Sequence, residues 1–463
     1  MNRNILLLGI AAYVLLGVLA AIFYLERTVF IDLAFHAVTI LKKKSLFIQN
    51  QRFVAAVTQV FPLVAGSLKL PLKGVLMAYS LGFVAWYGFV FLACTAWLKQ
   101  WKMGVVMLLC STLMVTDTFY WVQSELPQGM ALLVLTFALL LRYKTPEAFG
   151  GWPMGLTFVL WFAVAYAHPM LAFPVFFALF FFWEKNPARA AIHPKLVAAS
   201  AVFVFLILLL KNRVIGPTGY DSEAMSRVGN LLKLFPNYFN LASNRIFLRW
   251  CVTDYYLLSL GFLATSIFYF WQKNWRKLAL FGAFFFGYLL LVNVSIPDGY
   301  HQFYMENLYL PLGFFVALPL VFDVLPHFGK NGDWPKWAFA ALAIGVAVRI
   351  LHIGLSHRPW TARLDWERNF MKENPGKLLV PESKVPMNQL LLSWGSSFEF
   401  ILLSSLENPD NTRLITIDED PARLNWATDR SRTVITEWEA WDYDQLPREY
   451  FNPQDTTLYR LFQ

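Results

Sequence analysis

Three ionisable side chains of the kinds used in acid–base catalysis follow the first apolar segment of the chain. Glu26, Asp32 and His36 lie directly behind it. Asp32 and His36 are spaced i, i+4, so they share one face if this segment is helical. A carboxylate beside an imidazole orients the ring and raises its pKa, which suits a general base or acid. The alternatives are a local helix-stabilising pair for Asp32 and His36, and an interfacial ion pair with Arg27 for Glu26.

Several other residues are of types that bind phosphorylated or polar substrates. Arg52 has a planar guanidinium that matches phosphate geometry, and Arg245 and Arg249 are spaced i, i+4 before a later apolar segment. Anchoring at lipid headgroups is the alternative for all three arginines. The other candidates for substrate binding lie at the starts of apolar segments and are Glu125, His301, Tyr304 and Glu306.

The argument for substrate binding differs in strength among these residues. An ionisable group inside a membrane segment is costly, which favours a functional role for Glu306. Glu125 suits a binding site and a helix start equally well, because a carboxylate complements the helix dipole there. A lone histidine in a tight turn, such as His168, is interpreted as an interfacial residue.

The composition predicts a membrane protein. The chain of 463 residues is 57% hydrophobic and 15% charged, whereas a soluble domain has about 25% charged residues. Aromatic residues make up 17%, which suits interfacial belts. A basic surplus on such a chain favours cytoplasmic anchoring and contact with anionic lipid over nucleic-acid binding. Three cysteines lie in or beside apolar segments and are expected to be buried and free.

About eleven membrane-spanning helices are predicted, because a span needs about 20 largely apolar residues. The first is interpreted as a retained anchor, not a cleaved signal, since Ile22 to Leu25 continue the apolar run past Ala20-Ala21. The predicted spans are 5–25, 73–97, 103–121, 127–142, 152–167, 169–184, 195–210, 255–271, 277–293, 303–322 and 337–354.

Residues 53–66 are the ambiguous segment. They are apolar but short, contain Pro62 and Gln59, and are interpreted as re-entrant or interfacial. A full span here would move every later loop to the other side of the membrane. The basic residues of the short turns favour the first interpretation, with the amino terminus inside. These residues are Lys99, Lys102, Arg142, Lys144, Lys185, Arg189, Lys195, Lys273, Arg276, Lys277, Lys330 and Lys336.

On this topology, five segments share the outer face: long loops at 26–72 and 211–254, and short turns at 123–128, 168–169 and 294–302. The loop at 211–254 also carries Asp221 and Glu223. The Lys42-Lys43-Lys44 run in the first loop is interpreted as a lipid-surface contact. Long external loops over a helical body predict a chamber at the membrane surface.

The last part of the chain has a different character. Charged and turn-forming residues rise sharply after Leu355, and acidic residues outnumber basic ones. Strands are predicted at 414–420, at 433–438 and near the end, with a helix at 388–406 that ends near Asn408-Pro409. The predicted fold class is therefore an all-α polytopic membrane domain over 1–354, followed by a small soluble α/β domain over 355–463.

This layout resembles the polytopic membrane glycosyltransferases of the C-type fold, which use polyprenyl-phosphate-linked sugars. The shared features are a retained first helix, an acidic first external loop with Glu26 and Asp32, and the segment QNQRFVAAVTQVFPL before the second span. A polar start to a late span, at 301–306, and an external soluble domain complete the likeness. The first loop lacks the adjacent acidic pair or Asp-x-Asp motif that many of these enzymes carry.

The resemblance implies an inverting sugar transfer. Asp32 or Glu26 would deprotonate an acceptor hydroxyl as general base, and Arg52, Arg245 or Arg249 would stabilise the departing lipid phosphate. The partners implied are membrane lipid, a polyprenyl-phosphate sugar donor and a protein bound through 355–463. The one cofactor that the resemblance allows is a divalent metal ion. It also implies a bacterial inner membrane, with the soluble domain in the periplasm.

Two other functions stay open on the sequence. A transporter or flippase of a lipid-linked glycan would need mid-membrane charges and related halves, and the sequence shows no internal repeat. A non-catalytic subunit of a cell-envelope complex would use residues 355–463 as its interaction module.

Overall fold

The structure, a computed structural model, describes residues 2–122, 125–183, 192–216, 222, 226–329, 334–427 and 430–463. Six residues that the sequence singled out lie outside these ranges, namely Gln123, Lys185, Arg189, Asp221, Glu223 and Lys330.

The chain is 72% helical, as the apolar composition predicts. The helices of the first half are α1 (Asn2–Ile22), α2 (Tyr24–Thr28), α3 (Ile31–Lys43), α4 (Ala56–Ser67), α5 (Leu72–Leu92), α6 (Trp101–Cys110), α7 (Glu125–Arg142), α8 (Trp152–Ala167) and α9 (Ala172–Trp183). Those of the second half are α10 (Pro194–Leu210), α11 (Asn230–Lys233), α12 (Ala242–Thr253), α13 (Tyr256–Trp271), α14 (Trp275–Ser295), α15 (Gln302–Pro319), α16 (Leu325–His327), α17 (Lys336–Leu355), α18 (Arg358–Glu373), α19 (Met387–Leu390) and α20 (Ser396–Glu407).

Seven of the described helices are long and apolar enough to cross a membrane, or eight if the bent pair α12 and α13 forms one span. The seven are Arg3–Ile22, Leu72–Trp97, Glu125–Arg142, Pro194–Val214, Trp275–Ser295, Gln302–His327 and Lys336–Glu373. The chain therefore has the helices of a membrane protein, but the predicted number of eleven is not confirmed. The shortfall lies in short apolar helices. For example, α8 has 16 residues and is about 24 Å long, against about 30 Å of hydrocarbon.

The predicted span at 103–121 is wrong, because α6 ends at Cys110. Two buried side chains hold the backbone that leaves the helix there. Glu306 accepts hydrogen bonds from the amides of Thr116 (2.6 Å) and Thr118 (2.9 Å). Arg349 donates to the carbonyl groups of Thr112 and Val115, at 2.9 and 2.8 Å. Apolar periodicity cannot reveal such a turn, since its polar partners come from distant helices.

Residues 53–66 form a 3-10 turn followed by α4, and the whole apolar helix, Phe53–Ser67, has a length of about 22 Å at 1.5 Å per residue. Pro62 lies inside α4, and Gln59 is fully buried. The Gln59 amide bonds the backbone of Phe47 in both directions, at 2.8 and 2.7 Å. The segment is thus shorter than a span and tied to the loop before it, in line with the re-entrant or interfacial interpretation.

The carboxyl-terminal region contains the strands. β1 (Leu378–Pro381), β2 (Ile415–Asp418) and β5 (Arg460–Leu461) form a parallel sheet in the order β2-β1-β5, and β3 (Thr433–Ile435) pairs antiparallel with β4 (Ala440–Asp442). The predicted strands at 414–420, at 433–438 and near the end are confirmed as β2, β3 and β5. The predicted helix at 388–406 is shorter, since α20 begins at Ser396 after a loop. β1 and β4 were not predicted from the sequence.

The core of this region continues into the segment that follows α1. Buried residues of α3, including Leu33 and Ala37, belong to the same apolar cluster as Phe398, Leu402 and Ile415. The lysine run also contacts this region: Lys42 Nζ lies 3.5 Å from the Trp441 ring centroid, and Lys44 Nζ lies 3.7 Å from Glu449 Oε1. Lys42 and Lys44 thus contact the carboxyl-terminal region, and the lipid contact of the lysine run stays a prediction.

The fold predicts which segments share a membrane face. Ser45 and Asp410 are exposed on the side of the carboxyl-terminal region. Lys273 is exposed at the opposite end of the helices. Its neighbour Gln272 shows this, because the Gln272 amide lies 3.2 Å from His327 Nε2 at the far end of the long helix Gln302–His327. In a variant without Cys94, Cys110 and Cys251, we expect a membrane-impermeant maleimide to label Ser45→Cys and Asp410→Cys from one side. It should label Lys273→Cys only from the other side; labelling of all three from one side would contradict the topology.

Candidate functional site

A cavity of about 550 Å³ lies where the helical body meets the carboxyl-terminal region. This volume is within the range of about 300–1,000 Å³ typical of small-molecule sites. Its lining residues come from α3, the 49–52 turn, the starts of α7 and α15, the α8–α9 turn and the carboxyl-terminal region. They are Asp32, Phe35, Gln49, Asn50, Arg52, Trp121, Glu125, Leu126, His168, Tyr304, Asn307, Leu308, Trp394, Trp438 and Glu439.

Four predicted site residues, Asp32, Arg52, Glu125 and Tyr304, meet in this cavity. Two of the segments that the sequence places on the outer face, 26–72 and 123–128, supply the first three, and the start of α15 supplies Tyr304. His168 also lines the cavity, although the sequence favoured an interfacial role for it.

Asp32 lies in the first turn of α3, where a negative charge is favoured by the helix dipole. It is half-buried, and its Oδ2 accepts a hydrogen bond of 3.1 Å from the Trp121 indole nitrogen. Trp121 follows the turn that Glu306 and Arg349 hold. Buried polar contacts in the helical body therefore determine the position of one partner of Asp32.

The backbone just before Asp32 is strained. Ile31 has φ of 26°, which is a rare and costly conformation for a β-branched residue. Its amide donates a 2.6 Å hydrogen bond to Glu399 Oε1 of α20. Gly395 (φ of 86°) lies so close that an added Cβ would be 3.0 Å from the Ile31 Cα. The carboxyl-terminal region thus fixes the chain one residue before Asp32.

Glu399 is one of two buried carboxylates on a single guanidinium. Arg363 Nη2 contacts Glu399 Oε2 and lies 2.7 Å from Glu367 Oε1, and all three side chains are fully buried. Arg363 also donates to the Val29 carbonyl at 2.9 Å. Burial raises the pKa of Glu399 well above its ordinary value, and the neighbouring Glu367 raises it further against the lowering effect of Arg363. Two acids on one cation favour retention of a proton.

Arg52 and Glu125 form an ion pair in the cavity wall. A tight turn presents Arg52: Asn50 and Gln51 have φ of 48° and 58°, and the Arg52 amide donates to the Gln49 carbonyl at 2.9 Å. Positive φ at both central residues is the type I′ pattern. Arg52 Nη1 lies 3.9 Å from Glu125 Oε1, and both side chains are almost buried. This distance is an ion pair without a short hydrogen bond.

His168 is held as a neutral donor. Its Nδ1 accepts a hydrogen bond from the Met170 amide at 3.2 Å. Burial lowers the pKa of His168 well below its usual value, and the positive charges of Arg52 and Lys211 lower it further. A neutral imidazole that accepts at Nδ1 carries its proton on Nε2. His168 can therefore donate a hydrogen bond without adding a charge.

The start of α15 supplies an aromatic surface and an amide. The rings of Tyr304 and Trp121 are stacked with centroids 5.6 Å apart. Asn307 is 9% exposed, and its Oδ1 accepts no hydrogen bond from the described residues. A buried amide oxygen without a donor is costly, which favours a polar ligand beside it.

Glu26, His36 and His301 do not line the cavity. Glu26 accepts a 2.8 Å hydrogen bond from the Thr361 hydroxyl, so it links α2 to α18. The predicted pair of His36 with Asp32 is not formed: His36 Nε2 lies 3.1 Å from Gln49 Oε1, and its Nδ1 has no partner among the described residues. His301 stacks on Phe303 with centroids 5.3 Å apart.

Glu306, Arg245 and Arg249 also lie elsewhere. Glu306 is fully buried and accepts a 3.0 Å hydrogen bond from the Tyr255 hydroxyl in addition to the turn amides. It holds backbone in place and does not face the cavity. Arg245 and Arg249 are exposed on α12, outside the cavity lining. The substrate-binding role predicted for these three residues has no support in their positions.

Sequence reasoning missed eight lining residues of a polar or aromatic kind: Phe35, Gln49, Asn50, Trp121, Asn307, Trp394, Trp438 and Glu439. The segment that contains Gln49 and Asn50 was singled out, but these two side chains were not. The three tryptophans had no local signal: the position of Trp121 depends on the turn after α6, and those of Trp394 and Trp438 depend on how the carboxyl-terminal region packs.

No group of three or more His, Cys, Asp or Glu side chains in the described ranges could hold a metal ion. The cavity residues therefore do not fit the divalent metal ion that the resemblance allows.

Comparison with known proteins gave no match to a family model, a curated protein or a solved structure. The resemblance to C-type glycosyltransferases therefore rests on the layout of the chain alone.

The Glu399 geometry gives a prediction for stability. A raised pKa in the fold means that the folded chain binds more protons than the unfolded one above the ordinary value of 4.5. Stability is therefore lost as pH rises from about 4.5 through the folded pKa. We expect the melting temperature of Glu399→Gln, which keeps an acceptor for the Ile31 amide, to fall less steeply over this range than that of the wild type.

Two companion variants separate charge from hydrogen bonding. Glu399→Ala leaves the Ile31 amide without its hydrogen-bond acceptor and should lower the free energy of unfolding by about 1–3 kcal/mol at any pH. Glu407→Gln, on the exposed end of the same helix, should change stability by less than about 0.5 kcal/mol. Identical pH profiles for wild type and Glu399→Gln would contradict the assignment.

Proposed function

We propose that the protein is a membrane glycosyltransferase that moves a sugar from a polyprenyl-phosphate-linked donor to an acceptor, with inversion. The observation that carries this proposal is the cavity itself. It brings the carboxylates of Asp32 and Glu125 together with the Arg52 guanidinium at the ends of apolar helices. A donor with a polar sugar-phosphate head and a lipid tail needs a site at the boundary between water and the bilayer.

Asp32 acts as the general base. It takes the proton from the acceptor hydroxyl as that oxygen attacks the anomeric carbon of the donor sugar. The bond from this carbon to the phosphate oxygen breaks, and the lipid phosphate leaves with the electron pair. We assign this role to Asp32, which lines the cavity from the first turn of α3. Attack opposite the leaving group inverts the anomeric centre.

Arg52 and His168 bind the departing phosphate. The guanidinium offers a planar fork of donors that suits two phosphate oxygens. The neutral His168 adds one hydrogen bond from Nε2. Both groups stabilise the negative charge that develops on the phosphate as its bond to the sugar carbon breaks. Stabilisation of charge in the transition state accelerates the reaction.

The donor tail remains in the bilayer. Leu126 and Leu308 line the cavity at the starts of α7 and α15, and both helices belong to candidate spans. We place the site on the extracytoplasmic face of a bacterial inner membrane, with the carboxyl-terminal region in the periplasm. The basic short turns on the opposite face and the resemblance of the layout support this orientation.

The general base gives the first test of function. Purified protein is incubated with polyprenyl-phosphate sugars, and release of polyprenyl phosphate is measured. We expect Asp32→Asn to lower the rate by about 10²–10⁴-fold, the usual contribution of a general base. Glu26→Gln is the matched control, since it can still accept the Thr361 hydrogen bond outside the cavity. Equal rates for wild type and Asp32→Asn would overturn the role of Asp32, and no consumption of any donor by wild type would favour the non-catalytic subunit.

A second test concerns the phosphate. Arg52→Gln should lower the rate by about 10²-fold, since it removes a charged donor to the leaving group. Arg52→Lys should recover part of this loss, because it restores the charge but not the fork. Arg249→Gln, on the exposed face of α12, should leave the rate unchanged. A larger loss in Arg249→Gln than in Arg52→Gln would place the phosphate on α12 instead.

A further inference from the structure

We propose that the acceptor is a saccharide and that it binds to the tryptophan face, which we define as Trp394, Trp438 and Glu439 of the carboxyl-terminal region. This inference rests on the proposed function, because it names the second substrate of the same cavity. The three residues line the cavity opposite the helical body.

Trp438 is 51% exposed and packs against other aromatic rings. Its ring is stacked on Phe398 (5.9 Å between centroids, 27° between planes) and lies 5.2 Å from Phe35. Trp394 is inclined to Trp438 by 58°, with centroids 5.7 Å apart. Two indole rings inclined to each other thus present an apolar surface to the cavity. A large ring left half in water on a cavity wall is typical of a binding surface.

A pyranose ring matches this surface chemically. One of its faces presents C–H groups, which carry a small positive charge and pack against the negative face of an aromatic ring. Its edges present hydroxyl groups, which can donate to a carboxylate such as Glu439. Gln49 and Asn50 line the same cavity and supply amide donors and acceptors for further hydroxyls.

The charges of the cavity separate donor from acceptor. The helical body contributes Arg52, the one Lys or Arg side chain among the described lining residues, together with His168 and the carboxylates of Asp32 and Glu125. The tryptophan face contributes a carboxylate and no cation. Among the described lining residues a phosphate therefore finds a cation only on the helical body, which leaves the tryptophan face for an uncharged sugar.

The position of Asp32 links the two substrates. Phe35 is one helical turn from Asp32 on α3, so the two side chains share a face, and Phe35 contacts Trp438. A sugar that packs on Trp438 therefore has a hydroxyl edge next to Asp32. This is the arrangement that a general base for an acceptor hydroxyl requires.

Binding without donor tests this inference. Full-length protein in detergent is titrated with three neutral probes, namely tetrameric β-1,4-linked N-acetylglucosamine, hexameric α-1,4-linked glucose and α-1,6-linked mannotetraose, and binding is followed by saturation-transfer NMR and calorimetry. We expect at least one probe to bind, and Trp438→Ala to weaken it by at least about tenfold. Trp438→Phe should keep most of the affinity, since it retains an aromatic face.

The matched control is Trp271→Ala, because Trp271 is 71% exposed at the far end of α13. It should bind the probes like wild type. Binding of none of the probes, or equal binding by Trp438→Ala, would overturn the saccharide site. So would a serine- and threonine-rich peptide that binds in place of the sugars and is lost in Trp438→Ala.

Donor consumption measured on the same samples separates the two proposals. Saccharide binding that depends on Trp438, without consumption of any donor, would leave the saccharide site standing and remove the transferase. Donor consumption that depends on Asp32, without saccharide binding, would do the reverse.

Discussion

The hydrogen bond from the Ile31 amide to the Glu399 carboxylate joins the two parts of the molecule at the residue before Asp32. The rest of the site depends on it, because Ile31 keeps an unfavourable φ only while its neighbours hold it there. Arg363 holds the Val29 carbonyl and the Glu399 carboxylate together. The carboxyl-terminal region is thus part of the cavity in two ways: it positions Asp32 and it supplies the tryptophan face. A separate appended module would do neither.

The helical body uses the same physical device on its own side. Buried polar groups must be paired, so a charged side chain in an apolar environment fixes whatever backbone it bonds. Glu306 and Arg349 hold the turn after α6, and that turn carries Trp121 to Asp32. The most conspicuous ionisable residue of the late spans therefore acts through backbone geometry. This explains why a costly buried charge lies near the cavity without lining it.

Local features of the sequence predicted what local physics controls. Composition and apolar runs identified the membrane helices, and alternating β-branched residues identified β2 and β3. The position behind the first apolar segment located Asp32, and the start of a later apolar segment located Glu125, because a carboxylate complements the helix dipole there. Long-range packing decided the rest: the end of α6 at Cys110 depends on Glu306, and the choice of Asp32 over Glu26 depends on how α3 packs against α20. Trp438 lines the cavity through tertiary contacts that no run of residues encodes.

A structure determined by electron cryomicroscopy with a non-hydrolysable polyprenyl-phosphate sugar bound tests the central claim most directly. The account predicts phosphate density within hydrogen-bond distance of Arg52 and the sugar ring between Asp32 and the tryptophan face. The tail should leave the cavity along α7 and α15 into the bilayer. Headgroup density outside the cavity, for example against Arg245 and Arg249 on α12, would contradict it.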